Sequence, residues 1–309
     1  MKYVLGINLG GTNVRLGIVS GEGKIVEMDR EKTGKKEKKA IDQQLFLGIE
    51  ELKKEGAKKG LKIMGIGLGA PGPINTKQGT IVEMPNFTEI QNWPLKKEIE
   101  EKFQLPVAME KDSNAALLGE KWVGAAKDKK NVILLTLGTG VGGAALVDGR
   151  LLTGASGEAA EFGHITVDPN GHKCGCGKRG CLETFCGAAG ILRMAKEKGI
   201  QAKESKDIFV LARENNQKAL EVIKIFSFAL AEALGGLINI FDPELIIFGG
   251  KTSLSQDVFW PELKKRLSEF CFRSSLKDAD IVSSEIVDQA EIIGAASLIF
   301  KKLRLKNEK

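Results

Sequence analysis

The spacing of apolar residues divides the start of the chain into strands followed by a helix. Short apolar runs predict strands at 3–9, 14–19 and 24–28, which glycine-rich turns connect. Apolar residues recur at helical spacing over 40–59, and a buried strand with alternating glycines is expected at 63–70. No helix separates the first three strands, so we expect them to form a strand meander.

The strand–turn–strand pattern returns roughly 130 residues later. Apolar runs predict strands at 132–137 and 144–147, and the glycine-rich segment 138–143 between them predicts a turn. Internal similarity of this kind indicates that the chain contains two related halves. Farther along, residues 217–240 form a long apolar pattern that predicts a helix buried on most sides.

Composition and charge exclude several classes of function. The net charge of +6 is modest for 309 residues, and the lysine-rich runs 35–39 and 301–306 are typical of a solvated face. Because the chain has only one tyrosine and three tryptophans, we expect no nucleic-acid partner. The five cysteines do not suggest a disulfide framework, no leader precedes the first strand, and no apolar run is long enough to span a bilayer. We therefore expect a cytoplasmic protein without a membrane partner.

A cysteine-rich segment, EFGHITVDPNGHKCGCGKRGCLE, indicates a metal site. Cys174, Cys176 and Cys181 lie within eight residues, and interleaved glycines let the backbone aim several thiolates at one centre. Three sulfurs and one imidazole make a complete tetrahedral shell for structural Zn²⁺. Either His164 or His172 can supply the imidazole, and the spacing alone does not separate them.

A closed shell of this kind makes zinc a scaffold rather than a catalyst, because no coordination position stays open for a substrate. The metal would hold the loop whose two ends carry Glu161 and Glu183. Two carboxylates in fixed positions suggest that a small polar ligand binds beside the metal.

The two glycine-rich turns suggest a phosphate site. The segment GTGVGG at 138–143 formally matches the dinucleotide-binding pattern, but a strand and not a helix follows it, and no P-loop motif occurs. Backbone N–H groups at glycines can approach phosphate oxygens closely, and Thr12 and Thr139 add hydroxyl donors. Each turn alone would be only a turn, whereas one in each half favours a phosphate-binding role.

Asp112 lies between a predicted strand and a predicted helix in the segment EKDSNAALLGE. A carboxylate held there by rigid elements could accept a proton from a substrate hydroxyl. The simpler interpretation is that Asp112 or Ser113 caps a helix over 114–122, and both roles can coexist.

The chain resembles the ROK family (repressor, open reading frame, kinase) of sugar kinases within the actin–hexokinase superfamily. The resemblance covers essentially the whole chain in order, and its cysteine block is highly specific. The matching segments are GINLGGTN, APGPI, KDSNAALLGE, LGTGVGGA, GEAAEFGHITV, CGCGKRGCLE and FGG at 248–250.

This resemblance implies an α/β fold of two actin-like (ribonuclease H-like) domains with an interdomain cleft. A small domain would comprise 1–115 and the C-terminal helix at about 289–309, and a larger domain with the zinc loop would comprise 116–288. The implied activity is phosphorylation of a hexose at O6 with ATP and Mg²⁺, and glucose is the favoured substrate. The implied assembly is a homodimer or homotetramer.

The resemblance also assigns site residues. Asp112 would be the general base, and His164 would complete the zinc shell. The implied zinc ligands are His164, Cys174, Cys176 and Cys181. The implied sugar-binding residues are Asn86, Lys111, Asp112, Glu161, His164 and Glu183. The implied ATP- and phosphate-binding residues are Asn8, Gly10, Gly11, Thr12, Asn13, Gly138, Thr139, Gly140, Gly249 and Gly250.

Two residues depart from the family pattern. Asn8 stands where the family usually has an aspartate that helps to hold the metal–nucleotide. Asparagine keeps the shape but loses the negative charge, which bears on magnesium handling and on turnover. Lys111 stands where the family usually has an asparagine that reaches a sugar hydroxyl. A lysine there can donate a hydrogen bond or point to solvent, which bears on sugar specificity.

Three other functions compete with a glucose kinase. Kinases for fructose, mannose, N-acetylmannosamine or allose share most of these motifs. A sugar-responsive repressor would carry a winged-helix domain before the first glycine turn, and this chain reaches that turn at residue 10. A sugar-binding protein without catalysis is compatible with Asn8.

Overall fold

The structure is a computed structural model that describes residues 1–10, 13–32, 37–84, 90–272 and 279–303. Contacts within the chain divide it into two compact units, each assembled from separate segments. The domain boundaries expected from the sequence stay a prediction. Unit 1 comprises Met1–Asp128, Thr153–Ala159 and Asp288–Lys309, and unit 2 comprises Lys129–Leu152 and Ala160–Val287.

Unit 1 is a five-stranded mixed sheet with helices packed against it. Its strands are β1 (Tyr3–Leu9), β2 (Asn13–Ser20), β3 (Ile25–Lys32), β4 (Ile63–Ala70) and β8 (Val107–Lys111), with β5 (Ile74–Asn75), β6 (Thr80–Glu83) and β7 (Gln91–Trp93) in a small separate sheet. Its helices are α1 (Lys38–Lys58), α2 (Leu95–Phe103), α3 (Asp112–Val123) and α9 (Ala290–Lys302). The order across the main sheet is β3-β2-β1-β4-β8, and β1 to β3 are antiparallel, which confirms the predicted meander.

Helix α9 packs unusually close to this sheet because glycines leave room for its backbone. A Cβ atom added at Gly6 of β1 would lie 2.1 Å from the carbonyl oxygen of Ile292. A Cβ atom at Gly67 of β4 would lie 1.8 Å from the carbonyl oxygen of Ala295. The alternating glycines noted in the sequence are therefore contact points for α9.

Unit 2 repeats the topology of unit 1. Its strands are β9 (Val132–Leu137), β10 (Val141–Val147), β11 (Arg150–Leu151), β12 (Leu245–Gly249) and β13 (Asp280–Ser283), and their order is β11-β10-β9-β12-β13. The equivalent order in the two sheets confirms the two related halves and the α/β class with two ribonuclease H-like units. The prediction that the turn extends to Gly143 is wrong, because Val141–Gly143 pair with β9 as part of β10.

The helices of unit 2 surround a long apolar core helix. They are α4 (Glu183–Cys186), α5 (Ala188–Glu197), α6 (Ser205–Arg213), α7 (Gln217–Phe241) and α8 (Gln256–Leu267). Helix α7 begins where the Asn216 side chain accepts a hydrogen bond from Ala219 N, and it ends at Asp242 in a left-handed conformation. Contrary to the expectation from sequence, α7 is long and apolar enough to cross a membrane, but 61% of its most apolar window is buried inside the protein. Its apolar character is therefore that of a core helix, as the pattern over 217–240 predicts.

Candidate functional site

Asp112 is the first residue of α3, directly after strand β8. Its Oδ1 accepts a hydrogen bond of 2.6 Å from the backbone N–H of Ser113. The helix thus begins two residues earlier than the sequence predicts, and Asp112 lies inside its first turn instead of before it. The positive end of the helix favours an ionised carboxylate at this half-buried position.

A buried hydrogen-bond network joins the end of β8 to the start of α3. Glu110 Oε1 accepts from Lys111 N and from Asn114 Nδ2, each at 3.0 Å. Glu110 is only 8% exposed and Asn114 is fully buried. This network fixes the backbone on both sides of Asp112. The network was not predicted from the sequence, although the four-residue spacing of Glu110 and Asn114 is a local signal of it.

Lys111 does not point to solvent. The residue is only 4% exposed, and its Nζ donates a hydrogen bond of 2.9 Å to the carbonyl oxygen of Ala159. Both residues belong to unit 1. The Lys111 ammonium is therefore buried and held in a fixed orientation by this contact.

Asn8 lies near the end of β1, in register with Gly69 of β4, and is 5% exposed. No residue in the described part of the chain hydrogen-bonds to its Oδ1. A buried carbonyl oxygen without a partner is uncommon and suits a hydrogen-bond donor brought by a ligand, such as a magnesium-bound water. Gly10 follows this strand, whereas Gly11, Thr12, the Asn13 side chain and Asn86 lie outside the described residues.

The second glycine turn, 138–140, joins β9 to β10. Within it, Gly138 N donates to Gly140 O at 3.0 Å, and Ala188 N lies 3.1 Å from both Gly138 O and Thr139 O. Across the described residues, the N–H groups of Thr139 and Gly140 donate to no protein acceptor. The turn therefore keeps two backbone donors and the Thr139 hydroxyl for an anionic ligand.

Gly249 and Gly250 lie at the end of β12, the strand next to β9 in the same sheet. Gly249 pairs with Thr136 of β9. Gly250 has a φ of 76°, and a Cβ atom there would lie 2.3 Å from the carbonyl oxygen of Leu137, the last residue before the turn. The structure thus brings the predicted nucleotide-binding glycines of unit 2 to one edge of its sheet.

Glu183 also reaches this turn, which the sequence analysis did not foresee. Its Oε2 accepts a hydrogen bond of 3.0 Å from Val141 N, the first residue of β10. The two residues are 42 positions apart, and no spacing pattern in the sequence signals such a contact. The turn and a predicted sugar-binding carboxylate are therefore direct neighbours.

The predicted metal ligands are assembled in one place. Ligand atoms of His164, Cys174, Cys176 and Cys181 all lie within 4.8 Å of one another. The His164 Nδ1 to Cys174 Sγ distance is 3.6 Å, as is the Cys176 Sγ to Cys181 Sγ distance. A tetrahedral zinc with Zn–S bonds of about 2.3 Å separates its sulfurs by about 3.8 Å. The four residues therefore fit a structural zinc ion.

His172, the rival ligand, does not belong to this cluster. Its Nε2 lies 3.5 Å from Glu197 Oε1 at the end of α5. Glu197 Oε1 also lies 3.4 Å from Arg193 Nε, and Arg193 Nη2 donates to the Thr184 carbonyl at 2.8 Å. This chain of polar contacts attaches the cysteine loop and α4 to α5. The geometry thus separates the two histidines that the sequence left open.

Burial governs the acidity of the buried thiols in the cluster. Desolvation raises the pKa of Cys174, and it raises the pKa of Cys181 to about 12. At Cys176 burial also acts to raise the pKa, but hydrogen bonds from the Lys178 backbone and the neighbouring thiols bring the net pKa below its usual value. Because metal binds thiolates, zinc binding must release protons from the buried sulfurs.

The cysteine loop carries the two predicted sugar-binding carboxylates at its ends. Glu161 is exposed and immediately precedes the short 3-10 helix Phe162–His164, while Glu183 opens α4. Lys178 Nζ donates to the His164 carbonyl at 2.9 Å and ties the two sides of the loop. After the 3-10 helix, the loop has two isolated β-bridges and scattered backbone hydrogen bonds, such as Val167 N to Gly180 O at 2.8 Å, and the cysteine–histidine cluster adds to these contacts.

Comparison with known proteins identifies the family of this chain. A model of the ROK family matches residues 4–302. The glucokinase of Thermotoga maritima is 35% identical to this chain, over 97% of the chain and 98% of its own length. The xylose repressor of Caldicellulosiruptor bescii is 30% identical, over 97% of this chain and 78% of its own length. The crystal structure of a Streptomyces griseus ROK-family glucokinase with glucose and AMPPNP is 29% identical, has a TM-score of 0.83 and covers 96% of this chain and 98% of its own. This chain therefore belongs to the ROK family.

Proposed function

We propose that this ATP-dependent sugar kinase phosphorylates glucose at O6 and releases glucose 6-phosphate and ADP. The observation that carries the proposal is the cysteine–histidine cluster, because it closes the loop that bears Glu161 and Glu183. Carboxylates in fixed positions can accept hydrogen bonds from several hydroxyls of one sugar ring. The glucokinase relatives, which match this chain over almost its whole length, support glucose as that sugar.

Asp112 is the proposed general base. It accepts the proton of the 6-hydroxyl as that oxygen attacks the terminal phosphorus of ATP, and ADP leaves. A positioned base contributes about 10²–10⁴ to the rate. The Glu110 network and the first turn of α3 hold this carboxylate in place.

The other roles follow the sites already described. Magnesium, when bound, neutralises charge on the transferred phosphoryl group. Asn8 Oδ1, which is buried without a partner in the described part of the chain, would help to hold that ion. The proposed sugar ligands are Asn86, Lys111, Asp112, Glu161, His164 and Glu183. The proposed nucleotide ligands are Asn8, Gly10, Gly11, Thr12, Asn13, Gly138, Thr139, Gly140, Gly249 and Gly250.

Zinc is proposed as a structural ion held by His164, Cys174, Cys176 and Cys181. Three sulfurs and one nitrogen fill its shell, so it would stiffen the loop without contacting the reacting atoms. We further propose that the enzyme works in the cytoplasm as a homodimer or homotetramer.

The test is a hexose panel with ATP and Mg²⁺, in which ADP release and sugar phosphate are both measured. We expect kcat/KM for glucose to exceed the values for fructose, mannose, N-acetylmannosamine and allose. If another hexose gave a higher kcat/KM than glucose, that hexose would be the substrate instead of glucose. Failure to phosphorylate any hexose would overturn the proposal.

The proposed base has its own test. Asp112→Asn should lower kcat by about 10²-fold or more, and the glucose Kd should stay within about tenfold, because the base acts in the transition state. Asp128→Asn, at an exposed aspartate of unit 1, is the matched control and should leave kcat unchanged. If Asp112→Asn abolished glucose binding instead, Asp112 would have a binding or structural role.

A further inference from the structure

The two carboxylate oxygens of Glu183 have different surroundings. Oε2 accepts the hydrogen bond from Val141 N at the end of the glycine turn. No residue in the described segments donates a hydrogen bond to Oε1. One oxygen of Glu183 is thus engaged with the turn while the other is available to a ligand.

The turn is shaped around this carboxylate. A Cβ atom added at Gly140 would lie 2.2 Å from Glu183 Oε2, so only glycine leaves room for the carboxylate there. A Cβ atom at Gly138, two residues earlier in the same turn, would meet nothing within 4 Å. The same turn is also tied to the residues after α4, because Ala188 N contacts Gly138 O and Thr139 O at 3.1 Å.

We propose that Glu183 positions the 138–140 turn in addition to binding the sugar, so that sugar and nucleotide strengthen each other's binding. This inference rests on the proposed function, in which Glu183 contacts the sugar and the turn contacts the phosphates. A sugar hydroxyl on Oε1 restricts the Glu183 side chain, and Oε2 then restricts Val141 N and the turn. The nucleotide meets a turn that is already ordered, so it loses less conformational entropy on binding.

This arrangement differs in a measurable way from a purely structural contact. A glutamate that only stabilised the fold would leave nucleotide affinity independent of the sugar. If Glu183 couples the two sites, sugar must tighten nucleotide binding by the same factor by which nucleotide tightens sugar binding. That ratio is set by the contact between Glu183 and the turn.

The test is calorimetric binding of glucose with and without AMPPNP and Mg²⁺, and the reciprocal measurement, on three proteins. In the wild type we expect coupling of about fivefold or more in both directions. In Gly140→Ala the added methyl displaces the carboxylate, so the glucose Kd rises about tenfold or more and the coupling disappears. In the control Gly236→Ala, in α7 of unit 2 and outside both proposed sites, glucose Kd and coupling should stay within about twofold of the wild type, since its methyl has no neighbour within 4 Å.

A second variant keeps the test decisive if Gly140→Ala does not fold. Glu183→Asp keeps the charge but withdraws the carboxylate by one methylene from Val141 N, so coupling should again disappear. A wild type that binds glucose without coupling, or a Gly140→Ala protein that retains the coupling, would overturn this inference and leave the proposed function standing. A wild type that binds no glucose would overturn the proposed glucose specificity itself.

Discussion

The two sheets have the same strand order, but the candidate functional residues of the two units are positioned in different ways. Asn8 in β1 and Thr136 in β9 occupy equivalent positions, each paired with a glycine near the end of the adjacent parallel strand, Gly69 and Gly249 respectively. In unit 1 the candidate catalytic residue is placed by regular structure, at the junction of β8 and α3. In unit 2 the candidate sugar ligands lie on an irregular loop.

The difference shows that one scaffold can position functional groups by two physical means. The β8–α3 junction is held by backbone structure and by a buried Glu110–Asn114 hydrogen bond, and it requires no ion. The segment 161–183 has two isolated β-bridges and scattered backbone hydrogen bonds instead of a continuous ladder, so a cross-link would add to its rigidity. A zinc ion in the cysteine–histidine cluster would supply that cross-link.

The largest effect is expected from removing one metal ligand. Cys181→Ser should lower the zinc content well below one ion per chain and raise the glucose Kd by at least about tenfold, because the loop ends lose their fixed positions. Elemental analysis and calorimetry measure the two quantities. Proteolysis should cleave the variant rapidly within 161–183 and leave the β8–α3 junction resistant.

Cys271→Ser is the matched control, because its thiol bonds to the Leu267 carbonyl outside the cluster and should not affect zinc. If proteases cleaved the 161–183 loop of the Cys181→Ser protein no faster than that of the wild type, the loop would not depend on the metal. The proposed contrast between a metal-held site and a backbone-held site would then be wrong.

A smaller effect is expected from adding a methyl group where α9 packs against α3 in unit 1. In Gly294→Ala the new methyl would lie 1.7 Å from the Ala115 carbonyl oxygen, so α9 must move away from α3. We expect a loss of about 1–3 kcal/mol in the free energy of unfolding. Gly236→Ala in α7 of unit 2 is the control, because nothing lies within 4 Å of its Cβ, and it should gain up to about 1 kcal/mol from helix propensity.

Urea unfolding of both proteins measures these changes. If both substitutions changed the free energy of unfolding equally, α9 would not be packed more closely at its glycine than α7 is.

Asn8, near the end of β1, provides a third test. Asn8→Asp places a carboxylate where an unpaired, 5% exposed amide oxygen now lies. Without a cation this buried charge should destabilise the protein by about 1–3 kcal/mol, and Mg²⁺ with AMPPNP should recover that loss. Thermal unfolding with and without Mg²⁺ and AMPPNP measures both, and Asn92→Asp, at an exposed residue of unit 1, is the control. Destabilisation that Mg²⁺ and nucleotide do not relieve would argue against a magnesium role for this position.

The sequence predicted those parts of the molecule whose determinants are local. Strand β1 was predicted at 3–9 and observed at Tyr3–Leu9, because a short apolar run before a glycine turn suffices to define it. The cysteine cluster was predictable for the same reason, since its three sulfurs lie within eight residues.

The contacts that the sequence did not predict join residues distant in the chain. The bond from Val141 N to Glu183 spans 42 positions, and the contact of Lys111 with Ala159 spans 48. Neither contact produces a periodicity. The early start of α3 was missed because capping preferences place Asp112 before a helix as readily as in its first turn.

The smallest expected effect concerns a carboxylate that the close packing of α9 buries. Burial raises the pKa of Glu291, and the nearby Arg15 guanidinium, 3.2 Å from its Oε1, opposes this shift only in part. A carboxyl with a raised folded-state pKa ionises first in the unfolded chain. Its contribution to stability is therefore lost as pH rises from the ordinary glutamate pKa of 4.5 through the higher folded-state pKa.

Glu291→Gln removes this titration while keeping the shape and an acceptor for Arg15. Relative to the wild type, the variant should gain stability as pH rises from 4 to 8, and urea unfolding at several pH values measures the difference. Asp288→Asn is the control, because Asp288 is 55% exposed beside the same arginine and its replacement should show no such gain. If the Glu291→Gln difference stayed constant with pH, the carboxylate would be as well solvated in the folded unit as in the unfolded chain. The tight packing of α9 would then impose no electrostatic cost on unit 1.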